Sequence, residues 1–137
     1  MSSIEEPPKV ERRVLRYLRE YGVPPGSAVL IALSGGPDSV CLAGALHRLR
    51  DRHPLLLHAA YLDHGIRTDA EREKELGRVR GTCEAIGVGL SWERIPRGLL
   101  EARCRESGAS LEEEARRFRY AFLRGAAQSR ASDYIAL

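Results

Sequence analysis

The spacing of hydrophobic positions changes along this chain, and each change marks a new element. Val10, Val14, Leu15, Leu18 and Tyr21 recur at helical spacing, which predicts an opening amphipathic helix. Gly22-Val23-Pro24-Pro25-Gly26 breaks it. Ala28-Val29-Leu30-Ile31-Ala32-Leu33 is then apolar without interruption, as in a parallel-sheet strand buried on both faces. Past the turn Ser34-Gly35-Gly36-Pro37-Asp38-Ser39, a second helix is predicted through Val40, Leu42, Leu46 and Leu49. The apolar run from Leu55 to Leu62 predicts a second strand, ending in Asp63-His64-Gly65. Thr68-Asp69-Ala70-Glu71 has the form of a capping box, and the stripe Leu76, Val79, Cys83, Ile86 continues it as a third helix. Gly77 and Gly81 inside that helix lower its propensity. Residues 88–95 alternate as a third strand. Ser110-Leu111-Glu112-Glu113 opens another helix with an expected core stripe of Leu111, Ala115, Phe118 and Phe122, and Tyr134-Ile135-Ala136-Leu137 begins a fourth strand.

Strands alternating with helices predict an α/β fold: a doubly wound, Rossmann-like parallel sheet with helices on both faces. Such sheets take ligands beyond the C-terminal ends of their strands, where the turns 34–39 and 63–67 fall. At 137 residues the chain fits one domain, with no second domain expected. Its apolar runs are too short to cross a bilayer, and the acidic segment Met1-Ser2-Ser3-Ile4-Glu5-Glu6-Pro7-Pro8 lacks the apolar core of a secretory signal, so a cytoplasmic protein without membrane contact is expected. Cys41, Cys83 and Cys104 lack metal-ligand spacing and read as packed or idle thiols. The net charge of +3 is compatible with a nucleic-acid partner and does not demonstrate one.

The chemistry is concentrated in Ser34-Gly35-Gly36-Pro37-Asp38-Ser39. Two glycines let backbone approach a ligand closely, and Pro37 suits a first helical turn. Free amides and the helix dipole at such a turn attract anions, with Ser34 and Ser39 as hydroxyl donors at its ends. Asp38 would be out of place in a purely anionic site, and is useful there as a ligand for Mg²⁺, which takes carboxylates together with phosphate oxygens. The turn therefore reads as a cradle for a metal-bound di- or triphosphate. It is neither a GxxxxGK[ST] loop nor a GxGxxG fingerprint.

The SGGxDS pattern resembles the PP-loop of the N-type ATP pyrophosphatases, which have the adenine nucleotide alpha hydrolase-like fold. Two further stretches are similar to tRNA(Ile)-lysidine synthetases: Tyr61-Leu62-Asp63-His64-Gly65-Ile66-Arg67, and Ser110 through Tyr120 with its LExxARxxRY form. The resemblance runs from about Val10 to Leu137. It implies the N-terminal part, residues 1–137, of a PP-loop catalytic domain truncated after its fourth strand, and inactivity of this part alone. The implied reaction adenylates the wobble cytidine of an isoleucine tRNA and ligates free lysine, releasing AMP and pyrophosphate. ATP and Mg²⁺ are the implied cofactors; ATP, lysine and tRNA are the implied partners, and homodimerisation is left open. Ser34, Gly35, Gly36, Pro37, Asp38 and Ser39 would hold the pyrophosphate, with Asp38 catalytic through Mg²⁺.

Asp63, His64, Arg116 and Arg119 are candidates for a nucleotide or substrate pocket. Each has a structural alternative: a turn cap for Asp63, a bond within its own turn for His64, and the surface pair Glu112–Arg116 for the helix, beside Glu113–Arg117. His47, His53 and His58 read as structural, and Trp92 as core or packing. The competing readings are another PP-loop enzyme, of tRNA-thiolation or amidotransferase type, and a non-catalytic ATP-binding module.

Overall fold

Six apolar residues in a row leave no face for water, and Ala28–Leu33 (β1) forms an inner strand in which Leu30 and Ile31 are 0% exposed. The structure is a computed structural model that describes residues 7–137; residues 1–6, most of the acidic segment read above, lie outside the described residues. β1 pairs in parallel with Leu56–Asp63 (β2) on one side and Tyr134–Ala136 (β4) on the other. Gly89–Arg94 (β3) adds in parallel to the far side of β2, so the sheet order is β3-β2-β1-β4.

Side-chain alternation along the strands sends two sets of residues to opposite faces. Ile31, Leu33, Ala59 and Tyr61 pack against Ala43 and Leu46 of the helix Pro37–Arg48 (α2) and Leu76, Val79 and Cys83 of the helix Asp69–Ile86 (α3). Val14 and Leu18 of the first helix, Lys9–Glu20 (α1), lie against the same cluster. Leu30, Ala32 and Ala60 point the other way, onto Leu123, Ala126 and Ala127 of the last helix, Leu111–Ser129 (α5). Helices therefore cover both faces, as the doubly wound reading expects. From β1 the chain moves outward to β2 and β3, then returns past β1 to β4. The order reverses between β1 and β4, and sheets of this kind take ligands in the crevice beyond the C-terminal ends of the strands at such a reversal.

The cap of α3 is the complete box that Thr68 and Glu71 predict: Glu71 N–H donates to Thr68 Oγ1 at 3.3 Å, and Thr68 N–H to Glu71 Oε2 at 3.2 Å. At Ser110 the structure shows one half of that motif, Glu113 N–H donating to Ser110 Oγ.

Two expectations are corrected, and one helix is added. The core stripe of α5 is Leu123, Ala126 and Ala127; Leu111 is 39% exposed, and Phe118 and Phe122 are only half-buried. α5 leads into β4 and runs antiparallel to the strands, so its N-terminal half overhangs their C-terminal ends while its C-terminal half lies on the sheet. A further helix, Leu99–Ser107 (α4), packs on α5. It carries no side-chain cap and deeply buries Leu100, so little periodicity announces it. Trp92 is not core: it sits on the edge strand β3, 38% exposed, with the guanidinium carbons of Arg80 and Arg94 at 5.4 and 5.3 Å from its ring centroid.

Candidate functional site

The turn after β1 has the form its glycines require. Gly35 adopts φ +80, and a Cβ there would come within 2.8 Å of Glu75 Cγ, so the position needs glycine for backbone and for space. Gly36 is the N-cap of α2 in extended conformation, and Pro37 opens the helix. No side chain caps this end. The amides of Asp38 and Ser39 consequently have no intrahelical acceptor and are available to an anion. The two serines, read as hydroxyl donors at the ends of the turn, bond to each other and to its backbone. Ser34 N–H donates to Ser39 Oγ at 3.1 Å, the Ser34 hydroxyl to Ser39 Oγ at 3.2 Å, and the Ser39 hydroxyl to the Gly36 carbonyl at 3.1 Å. They staple the loop closed around its own backbone.

Asp38 is exposed on the first turn of α2. No group of three or more His, Cys, Asp or Glu residues stands ready for a metal among the described residues. A lone carboxylate completed by phosphate oxygens and water is the ligand set Mg²⁺ accepts, so Asp38 fits that ion only together with a polyphosphate.

Beside the loop, at the C-terminal ends of β1 and β2, lies a cavity of about 90 Å³ whose lining includes Ser34, Leu62, His64, Glu75, Arg119 and Phe122. Its volume matches that of a few waters and is too small for a nucleotide. It shares His64 and Arg119 with an open groove of about 440 Å³ that also touches Glu112, Ala115, Arg116 and Tyr120, a volume in the range of ligand pockets. A wider groove of about 600 Å³, between β3 and α5, shares Leu62 and Phe122 with the cavity and exposes Trp92 and Phe118.

His64 differs from the other candidates in its hydrogen bonding. Its Nδ1 is buried with no hydrogen-bond partner, so it does not bond its own turn. Burial, followed by the nearby Arg119 guanidinium, lowers its pKa below the ordinary 6.5, against a weaker upward pull from Asp63 and Glu75. The ring is therefore neutral at pH 7, with one buried nitrogen unspent. Arg119 is half-buried where cavity meets groove.

Arg116 is exposed on the groove wall with its guanidinium 5.4 Å from the Tyr120 centroid. Arg117 pairs with the buried Glu114 at 2.8 Å, three residues before it and not with Glu113. Asp63 stands apart from these. Its Oδ1 accepts from Gly65 N–H at 2.9 Å, and its Oδ2 faces Arg72 at 2.7 Å and Arg94 at 3.3 Å. Both oxygens are engaged in holding the turn, which is the capping alternative. His53 bonds the Val23 carbonyl, and His58 lies against Ser91 and Arg130, both structural as read.

Glu75 and Phe122 line the site without having been singled out as site residues. Glu75 precedes the stripe residue Leu76 by one position, about 100° around the helix, and a carboxylate at such a boundary is the signal that marks it.

Comparison with known proteins gives a consistent set of relatives. Residues 7–137 match the PP-loop domain family designated ATP_bind_3. The tRNA(Ile)-lysidine synthase of Dehalococcoides mccartyi is 38% identical over 112 residues, which is 81% of this chain and 23% of the relative. That of Symbiobacterium thermophilum is 39% identical over 110 residues, 80% of this chain and 22% of the relative. This chain thus matches less than a quarter of the length of these curated relatives. Among solved structures, a U34-tRNA thiolase from Methanococcus maripaludis superposes with TM-score 0.75 at 19% identity, covering 93% of this chain and 43% of that one. An NH3-dependent NAD synthetase from Campylobacter jejuni gives TM-score 0.64 at 20% identity, covering 92% and 54%. At these identities the likeness is one of fold.

Proposed function

Since the chain belongs to the PP-loop domain family, we propose that its Ser34–Ser39 turn grips the polyphosphate of ATP and supplies the nucleotide site of a tRNA-modifying ligase. The observation that carries this reading is the turn itself: a left-handed Gly35 and an uncapped helix start at the C-terminal end of a buried parallel strand, beside the neutral His64 and Arg119.

In this reading the amides of Asp38 and Ser39 face the β and γ phosphates, and Gly35 and Gly36 let the main chain approach them. Bound to Asp38 and phosphate oxygens, Mg²⁺ supplies neutralisation of the charge that builds on departing pyrophosphate. The groove between His64 and Arg119 takes the nucleoside. The unspent His64 Nδ1 gives one directional contact there, and Arg116 and Arg119 give positive charge toward an anionic substrate. The relatives' names point to lysidine formation as the reaction. The oxygen on C2 of the wobble cytidine attacks the α phosphate and pyrophosphate leaves. The ε-amino group of lysine then attacks C2, forming the C–N bond, and AMP departs with that oxygen.

Calorimetric titration of ATP·Mg²⁺ tests the nucleotide site, with Asp38→Ala expected to weaken binding. No binding by the folded chain, unchanged by that substitution, overturns the reading. The mass of tRNA incubated with ATP and either lysine or a sulfur donor distinguishes lysidine formation from thiolation.

A further inference from the structure

Glu75 belongs to none of the sequence motifs, and it sits where two of them meet. It is on α3, with a side chain 14% exposed. Its Oε1 accepts from the Tyr61 hydroxyl of β2 at 2.6 Å, and its Oε2 pairs with Arg67, in the turn after β2, at 2.9 Å. The Tyr61 hydroxyl is a fixed donor, because burial and the adjacent carboxylates of Glu75 and Asp63 push its pKa far above the ordinary range. The stem of Glu75 meanwhile lies against the bend of the phosphate turn. A Cβ on Gly35 would stand 2.8 Å from its Cγ, 3.0 Å from its Cδ and 3.2 Å from its Oε1.

A carboxylate next to an anion cradle opposes anion binding by simple repulsion. Here one oxygen is taken by a phenol and the other is balanced by a guanidinium, so the charge is contained and the group acts through its shape. We infer that Glu75 is the positioning residue of the phosphate turn: braced by Tyr61 and Arg67, its side chain holds Gly35 in its left-handed bend and so sets the affinity for polyphosphate. This rests on the ATP reading for its consequence, though the hold on the turn is a property of the chain without ligand. It also links the His-Gly-Ile-Arg turn to the phosphate turn, since Arg67 pairs with Glu75 and Glu75 lies against Gly35.

The test uses the intact chain, with circular dichroism and thermal melting to show that each variant folds. In Glu75→Ala, the hydrogen-bonded amides of the turn, those of Ser34, Gly36 and Val40, should exchange with solvent roughly tenfold faster, while those of β1 and β2 keep their wild-type rates. The ATP·Mg²⁺ dissociation constant should rise roughly tenfold, as misplacement of a preorganised group does, while Glu75→Gln, which keeps the stem and an acceptor for Tyr61, stays within about threefold. If Glu75→Ala does not fold, Tyr61→Phe combined with Arg67→Met removes both braces and is read in the same way. Wild-type exchange throughout the turn in a folded variant overturns the inference. Should the wild-type chain bind no ATP, the ATP reading falls, and the exchange rates still decide the role of Glu75.

Discussion

At the scale of single residues, the chemistry turns on which polar atoms are already engaged. Both oxygens of Asp63 are taken by Gly65, Arg72 and Arg94, whereas His64 next to it keeps one nitrogen buried and unpaired. No sequence pattern separates two neighbouring residues of one turn in this way, because the partners come from α3 and β3. The difference leads to a pH prediction. His64 resists protonation when folded, chiefly through burial and then through Arg119. The unfolded chain therefore binds the proton more readily, and stability should be complete above the unfolded value of about 6.5 and fall as pH drops from there toward the folded pKa. His58, lowered by burial and Arg130, adds to the same slope. Following each imidazole by NMR separates them: Arg119→Met should raise the His64 midpoint and leave that of His58 in place.

At the scale of elements, glycine and helix overhang decide what sequence patterns can and cannot reveal. The strand β1, the cap of α3 and the turn after β1 follow directly from residue order, since each depends on local conformation. The inner face of α5 does not. Its N-terminal half has the apolar spacing of a core stripe and projects beyond the sheet, so burial passes to Leu123, Ala126 and Ala127. Leu123→Ala should accordingly cost about 2–5 kcal/mol in urea denaturation, and Leu111→Ala within about 0.5 kcal/mol. The two turn glycines should also differ. A Cβ on Gly65 would meet the Ile95 carbonyl oxygen of the main chain at 2.5 Å, whereas one on Gly35 would meet side-chain atoms of Glu75, the nearest at 2.8 Å. Both carry positive φ, so each alanine substitution is strained, by about 1–3 kcal/mol for the backbone alone. Gly65→Ala should destabilise the fold more in denaturant melts, and Gly35→Ala should affect ATP binding more in titrations.

At the scale of the whole molecule, the site is assembled from parts distant in sequence: the turn after β1, the end of β2, a side chain of α3 and the overhang of α5. The sheet class and the end at which ligands bind follow from the order of elements, but the facing of Glu75, Phe122 and Arg119 needs the packed helices. Because ATP·Mg²⁺ would engage only the assembled site, a hundredfold excess over its dissociation constant should stabilise the chain by about 2.7 kcal/mol, visible as a raised melting temperature. The pairing of β1 has a kinetic counterpart. Its partners are β2, encoded soon after it, and β4, where Val29 meets Tyr134 across most of the chain. Contacts so separated in sequence close slowly, since a long loop must be ordered before they reward it. During synthesis the crevice between β1 and β4 then forms later than the phosphate turn, and a nascent chain acquires that turn well before α5 arrives to wall the pocket beside it.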